Sequence, residues 1–174
     1  MFCIIALHTS KAVESTVEYR LFEPEDFTAL YVIEEVCFQP PHRFSRAYMR
    51  QLIGQTDAAT WIAEEHEKMV GFCLVEWTRK EDSVLAYVQT LEVLPESRGQ
   101  GVGIELLRHV ESSAHEAGAR FIWLHVDAEN VNAIRVYEKN AYQVQGREED
   151  YYGPGRAALA YAKVLAPPSG VEVR

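Results

Sequence analysis

From Val17 onward, apolar and polar residues recur in two periods, and each change of period marks a new element. "VEYRLF" alternates as a strand does. "EPEDFTALYVIEEVCF" changes to a helical spacing, with Pro24 and acids in its first turn, both favoured at a helix N-terminus. "QPPHRF" breaks that helix, and Ser45 is placed to cap a short second one. "ATWIAEE" and "MVGFCLVEW" predict two strands around a polar turn at His66 to Lys68. "SVLAYVQTLEVL" predicts a long strand whose alternation sets Tyr87, Gln89, Leu91 and Val93 on one face. Apolar positions at Leu106, Leu107, Val110, Ala114 and Ala117 give a helix that Gly118 is placed to end. "RFIWLHV" is a continuous apolar run, as expected of a strand buried on both faces. A helix from Asn130 to Lys139 and two closing strands, Tyr142 to Glu149 and Arg156 to Leu165, complete the pattern.

This order predicts a mixed α/β fold in one domain over residues 17–165. Its middle strand–helix–strand unit is expected to be a right-handed parallel crossover. Residues 1–16 have no clear period and stay unassigned. Residues 166–174, with two prolines and a glycine, read as a frayed, flexible tail.

A length of 174 residues suits one such domain. A net charge of -9 argues against non-specific nucleic-acid binding, which needs a basic face. Cys3, Cys37 and Cys73 are odd in number and widely spaced, which fits a reducing cytoplasm better than a disulfide framework. Nothing has zinc-ligand spacing, so no metal is expected. "MFCIIAL" lacks a basic leader, and no apolar run nears the ~20 residues of a membrane span. A cytoplasmic protein without a membrane partner is expected.

The chemistry concentrates in "LPESRGQGVGIELL", where Gly99, Gly101 and Gly103 stand at alternate positions between a strand and a helix. Glycine in a helix costs about 1 kcal/mol relative to alanine, so the cluster needs a reason. A strand, a glycine-rich turn and a helix start form an anion site, because free N–H groups and the helix dipole both favour negative charge. Arg98 adds a positive charge there. A nucleoside triphosphate would want a G-x-x-x-x-G-K-[ST] loop, and no Lys followed by Ser or Thr is present. A dinucleotide would want G-x-G-x-x-G, but Ile104 and Leu106 occupy the positions of the third glycine.

"VLPESRGQGVG" resembles the acyl-coenzyme A signature of the GNAT superfamily of N-acetyltransferases, [QR]-x-x-G-x-[GA], with Arg98, Gly101 and Gly103 at its fixed positions. "WLHVDAENVNAIRVYEKNAY" is similar to the downstream segment of the N-terminal protein acetyltransferases, among them the ribosomal-protein alanine acetyltransferases. His125, Asn130, Ala133, Ile134 and Tyr137 take the corresponding positions. The resemblance implies a mostly antiparallel sheet with a parallel strand-helix-strand coenzyme A unit and flanking helices. It implies acetyl-CoA as co-substrate, with the pyrophosphate held by the stretch Arg98, Gly99, Gln100, Gly101, Val102 and Gly103. Two departures stand out: the family's Gly-Phe is Ala141-Tyr142 here, and no Glu-Asp follows the paired tyrosines.

The resemblance also assigns roles. Backbone N–H groups in the stretch Leu91, Glu92 and Val93 would hold the oxyanion, and Asn130 would both cap a helix and contact the coenzyme. Tyr137 would donate a proton to the departing thiolate. One branch of the family carries histidine at His125 and pairs it with a tyrosine on the preceding strand, which falls at Tyr87. Tyr151 and Tyr152 would line a peptide groove.

A base working near neutral pH suits histidine, whose ordinary pKa is about 6.5. At pH 7 an α-amine loses its proton for roughly 1–1.4 kcal/mol, whereas a lysine amine needs roughly 4.6 kcal/mol. The expected acceptor is therefore a protein or peptide N-terminal amine. A small-molecule amine, a protein lysine, and a non-catalytic acetyl-CoA-binding protein remain as alternatives, and monomer and dimer both stay open.

Overall fold

Seven strands, β1 (Glu18–Leu21), β2 (Ala58–Glu65), β3 (Lys68–Lys80), β4 (Ser83–Val93), β5 (Phe121–Asp127), β6 (Gln143–Glu148) and β7 (Ala158–Val164), form one sheet in a computed structural model. Their order is β1-β2-β3-β4-β5-β7-β6, with β4–β5 the parallel pair and every other neighbour antiparallel. The structure describes residues 16–81 and 83–165, so the expectations for residues 1–15 and for the tail from Ala166 lie outside it.

Four helices cover the sheet: α1 (Phe27–Cys37), α2 (Arg46–Ile53), α3 (Val102–Glu116) and α4 (Val131–Lys139). One face buries Cys73, Val75, Ala86, Val88, Ile122 and Leu124 against Leu106, Leu107 and Val110 of α3 and Tyr137 of α4. The opposite face buries Ile62, Phe72 and Leu74 under Leu30 and Ile33 of α1 and Met49 and Leu52 of α2. Ser45 caps α2 as expected, its Oγ accepting the Tyr48 N–H at 3.2 Å. Gly118, at φ +96°, follows the end of α3 in the left-handed conformation that glycine adopts without strain. The first helix begins later than its pattern suggested: Pro24–Asp26 form a 3-10 turn, with Asp26 gripped by Arg20 at 2.7 and 2.9 Å.

Two expectations are corrected. Leu74 lies opposite Thr90 while Val75 lies opposite Val88, which leaves Gln89 as an extra residue in β4. Such a bulge reverses the alternation beyond it. Leu91 and Val93 therefore pack on the α3 side with Ala86 and Val88, whereas Tyr87 faces the other way. The four residues do not share a face.

The second correction is β5, which is buried on one side only. Ile122, Leu124 and Val126 are buried, while Trp123 and His125 on the opposite face keep partial exposure. The reason is coverage: α1 lies over β3 and β4 and α2 over β2, so neither helix roofs β5.

The parallel pairing of β4 with β5 is short. It runs through Leu85–Phe121, Ala86–Ile122 and Tyr87–Trp123, and then the strands part. A gap opens in the middle of the sheet just where the bulge falls.

Candidate active site

The gap is lined by backbone that has lost its partner strand. Leu94 donates its N–H to Val70 of β3 at 2.8 Å. Because successive residues of a strand turn their N–H and C=O groups to opposite edges, those of Val93 and Leu91 face the gap. The Val93 carbonyl there accepts from Arg98 Nε at 2.8 Å, and a second guanidinium nitrogen of Arg98 lies 3.6 Å from Cys37 Sγ. Arg98 is thus folded back on the strand end instead of standing free over the loop.

Beyond the gap, Gly99 (φ +76°) and Gly101 (φ +89°) hold left-handed conformations, and a Cβ on either would meet nothing within 4 Å. Their backbone shape requires glycine while the space beside them stays open. Gly103, in the first turn of α3, has no positive φ, and a Cβ there would reach Val93 Cγ2 at 3.5 Å. Among the described residues, the N–H groups of Gln100, Gly101, Val102 and Gly103 meet no backbone acceptor. Four unspent donors at the start of a fifteen-residue helix fit an anionic group such as a pyrophosphate. The Gln100 side chain is engaged at its own loop, donating to Glu96 O at 3.1 Å.

Tyr87 and His125 meet where the α1–α2 face of the sheet is left unroofed over β5. The Tyr87 hydroxyl lies 2.9 Å from His125 Nδ1, and His125 Nε2 lies 3.0 Å from Glu148 Oε1 on β6. Tyr151 stacks on the imidazole with ring centres 4.6 Å apart, and its hydroxyl is 3.5 Å from that of Tyr87. Burial, and then the Tyr151 hydrogen bond, push the Tyr87 phenol well above its ordinary value, so it stays protonated at neutral pH. Tyr87 can relay a proton but cannot be the resting base. Glu148 was missed in the sequence because "REED" reads as a solvated acidic run.

The remaining candidates are spread around this pair. Tyr152 packs edge-on to Tyr151 and His42, and burial pushes its phenol up to about 12. Arg156 joins Asp127 at the end of β5 to His42 of the α1–α2 loop, bridging the two loops that flank the open face. Asn130 caps α4, its Oδ1 accepting from Ala133 N at 3.2 Å. Tyr137 is buried on the α3 side against Tyr142 and Tyr161, away from the Tyr87–His125 bond, and burial raises its phenol too. Its hydroxyl makes no hydrogen bond among the described residues.

The Glu92 side chain turns under α1, away from the glycine loop. It accepts from Thr90 Oγ1 at 2.8 Å and meets the carboxyl group of Glu34, whose Oε1 accepts the Phe44 N–H at 2.6 Å. Both carboxyl groups are almost wholly buried, and burial followed by the Glu34 contact raises Glu92 well above the usual range. Among the described residues no group of three or more His, Cys, Asp or Glu could hold a metal ion, and no helix is long and apolar enough to cross a membrane.

A parted parallel strand pair with a donor-rich glycine loop at the gap and a histidine beside it makes a site fit for an anionic ligand and for proton transfer. The chain belongs to the acetyltransferase (GNAT) family, whose model matches residues 27–142. It is 29% identical over 128 residues to a putative [ribosomal protein bS18]-alanine N-acetyltransferase of Bacillus subtilis, covering 74% of this chain and 82% of that protein. It is 30% identical over 97 residues to a streptothricin acetyltransferase of Streptomyces lavendulae, over 55% of this chain and only 50% of that enzyme's length. Among solved structures, Arabidopsis thaliana Naa50 in complex with the bisubstrate analogue CoA-Ac-MVNAL superposes with a TM-score of 0.74 at 26% identity, over 84% of this chain and 97% of that one.

Proposed function

We propose that this protein is an acetyl-CoA-dependent N-acetyltransferase whose acceptor is the α-amine of a protein or peptide N-terminus. The observation that carries the reading is the Tyr87–His125 hydrogen bond beside the gap, over β5 where neither α1 nor α2 reaches, with Tyr151 and Tyr152 flanking it. An imidazole with a protonated phenol relay suits an amine that needs little help to deprotonate, as an α-amine does at neutral pH. The peptide-like analogue on Naa50 and the alanine N-acetyltransferase relative support the same acceptor class.

In this reading the glycine-loop donors hold the coenzyme's pyrophosphate. The gap-facing N–H of Leu91 or Val93 steadies the oxyanion. The amine attacks the thioester carbonyl, the C–N bond forms and the C–S bond breaks. The amine's proton passes through Tyr87 to His125 Nδ1 and ends on the departing sulfur. Tyr137, a poor acid with its raised pKa, serves the sulfur as a hydrogen-bond donor. Asn130 holds the start of α4 at the coenzyme's edge, and Tyr151 and Tyr152 wall the peptide groove.

The test pairs two peptides with one internal lysine each, one with a free N-terminus and one blocked, and locates the added acetyl group by mass spectrometry. Acetylation of the free terminus alone is expected. Acetylation of the blocked peptide would move the acceptor to lysine.

A further inference from the structure

His125 has two ring nitrogens and two different partners, and the partners dictate which nitrogen carries the proton. Glu148 offers a carboxylate 3.0 Å from Nε2, and an ionised carboxylate only accepts hydrogen bonds. Tyr87 lies 2.9 Å from Nδ1 with a phenol that burial keeps protonated. In the neutral ring the two bonds are mutually satisfied by one tautomer: Nε2–H donates to Glu148, and the Tyr87 O–H donates to Nδ1.

We infer that Glu148 is the positioning residue of the reaction, fixing His125 with its basic nitrogen toward Tyr87 and steadying the imidazolium formed during transfer. This inference rests on the proposed acetyl transfer to an amine. Once Nδ1 takes the amine's proton by way of Tyr87, the ring is positive, and Glu148 is the carboxylate on its far side. The same logic governs a buried acid behind a catalytic histidine, where losing the acid costs activity through the wrong tautomer.

The other groups facing the ring do not substitute for it. Tyr87 on β4 and Tyr151 between β6 and β7 bring phenols, not carboxylates, and Tyr151 meets the ring by stacking. Asp127, two residues along β5, is occupied by Arg156 and by the N–H of Glu129. Glu148 itself stands on an edge strand that is exposed along its length, so its replacement leaves the core intact.

Glu148→Gln, Glu148→Ala and Glu148→Asp test the role by two readouts. With ¹⁵N-labelled protein and no acceptor, NMR of the native chain is expected to show His125 protonated at Nε2, and Glu148→Ala to show a mixed tautomer. With acetyl-CoA and a free-N-terminus peptide, kcat of Glu148→Gln is expected to fall about tenfold, a fraction of what a whole general base supplies. Its acid limb should move to lower pH because the imidazolium has lost its counter-charge, the KM for acetyl-CoA should hold, and Glu148→Asp should recover part of the rate. A native ring protonated at Nδ1, or an acid limb and tautomer unchanged in Glu148→Gln and Glu148→Ala, overturns the inference. The NMR measurement needs no acceptor, so a peptide that is not acetylated while the tautomer is as expected counts against the proposed function alone.

Discussion

Glu34 of α1 and Glu92 of β4 face each other inside the protein, and each spends one oxygen on a neighbour, Phe44 N–H and Thr90 Oγ1 respectively. The second oxygen of each has no hydrogen-bonding partner outside the pair. One proton between them resolves both, and Glu92, with its raised pKa, holds it.

A group whose folded pKa is raised favours the fold below its unfolded value and loses that contribution as pH rises toward the folded value. Stability is therefore expected to fall as pH climbs from the ordinary glutamate value of 4.5 toward neutrality and beyond. Glu92→Gln keeps a neutral donor toward Glu34 and should flatten that slope. Urea midpoints from pH 5 to 9 check it, and parallel slopes in the two proteins would refute the shared proton.

Replacing His125 by alanine should lower kcat on the order of 100-fold, the lower range for a general base, with acetyl-CoA affinity unchanged. Tyr87→Phe removes the relay and leaves the ring, so a smaller loss of roughly tenfold is expected. Steady-state kinetics with calorimetric binding separates these outcomes from a general loss of fold.

Gly101 and Gly103 should respond differently to alanine. At Gly101 the left-handed backbone costs a side chain about 1–2 kcal/mol, so Gly101→Ala should melt lower. At Gly103 the backbone is helical and the nearest atom is at ordinary contact, so Gly103→Ala should stabilise by about 0.5–1 kcal/mol. If the loop exists for close approach of a ligand, acetyl-CoA affinity falls in both. A Gly103→Ala variant that gains stability and binds normally would remove Gly103 from the site.

Asn130→Ala should cost about 1 kcal/mol by removing the α4 cap, whereas Asn130→Ser should keep nearly all of the stability. Thermal melts check the cap, and acetyl-CoA affinity in the serine variant reports whether the amide has a second role.

The succession of strands and helices was legible because each buries one face and repeats with its own period. What stayed hidden followed from contacts that periodicity does not encode. The extra residue at Gln89 leaves the apolar spacing of "YVQTLEV" looking regular while it turns Tyr87 and Leu91 to opposite faces. "FIWLHV" is apolar enough for double burial, yet Trp123 and His125 stay partly open because α1 and α2 stop short of β5. His125 and Tyr87 were legible as a pair only through the family resemblance, being 38 residues apart. Glu148 and Glu34 each stand next to another acid, and nothing local marks which of the two turns inward or meets the histidine.

The parting of β4 and β5 after three rungs has a further consequence for solubility. An unpaired strand edge at the rim of a sheet is a template on which other chains can add. Here the unpaired edge lies at the centre of the sheet, with paired strands on both sides and its end closed by Arg98. The chain thus keeps free backbone donors within reach of a small molecule while shielding them from the strands of its neighbours.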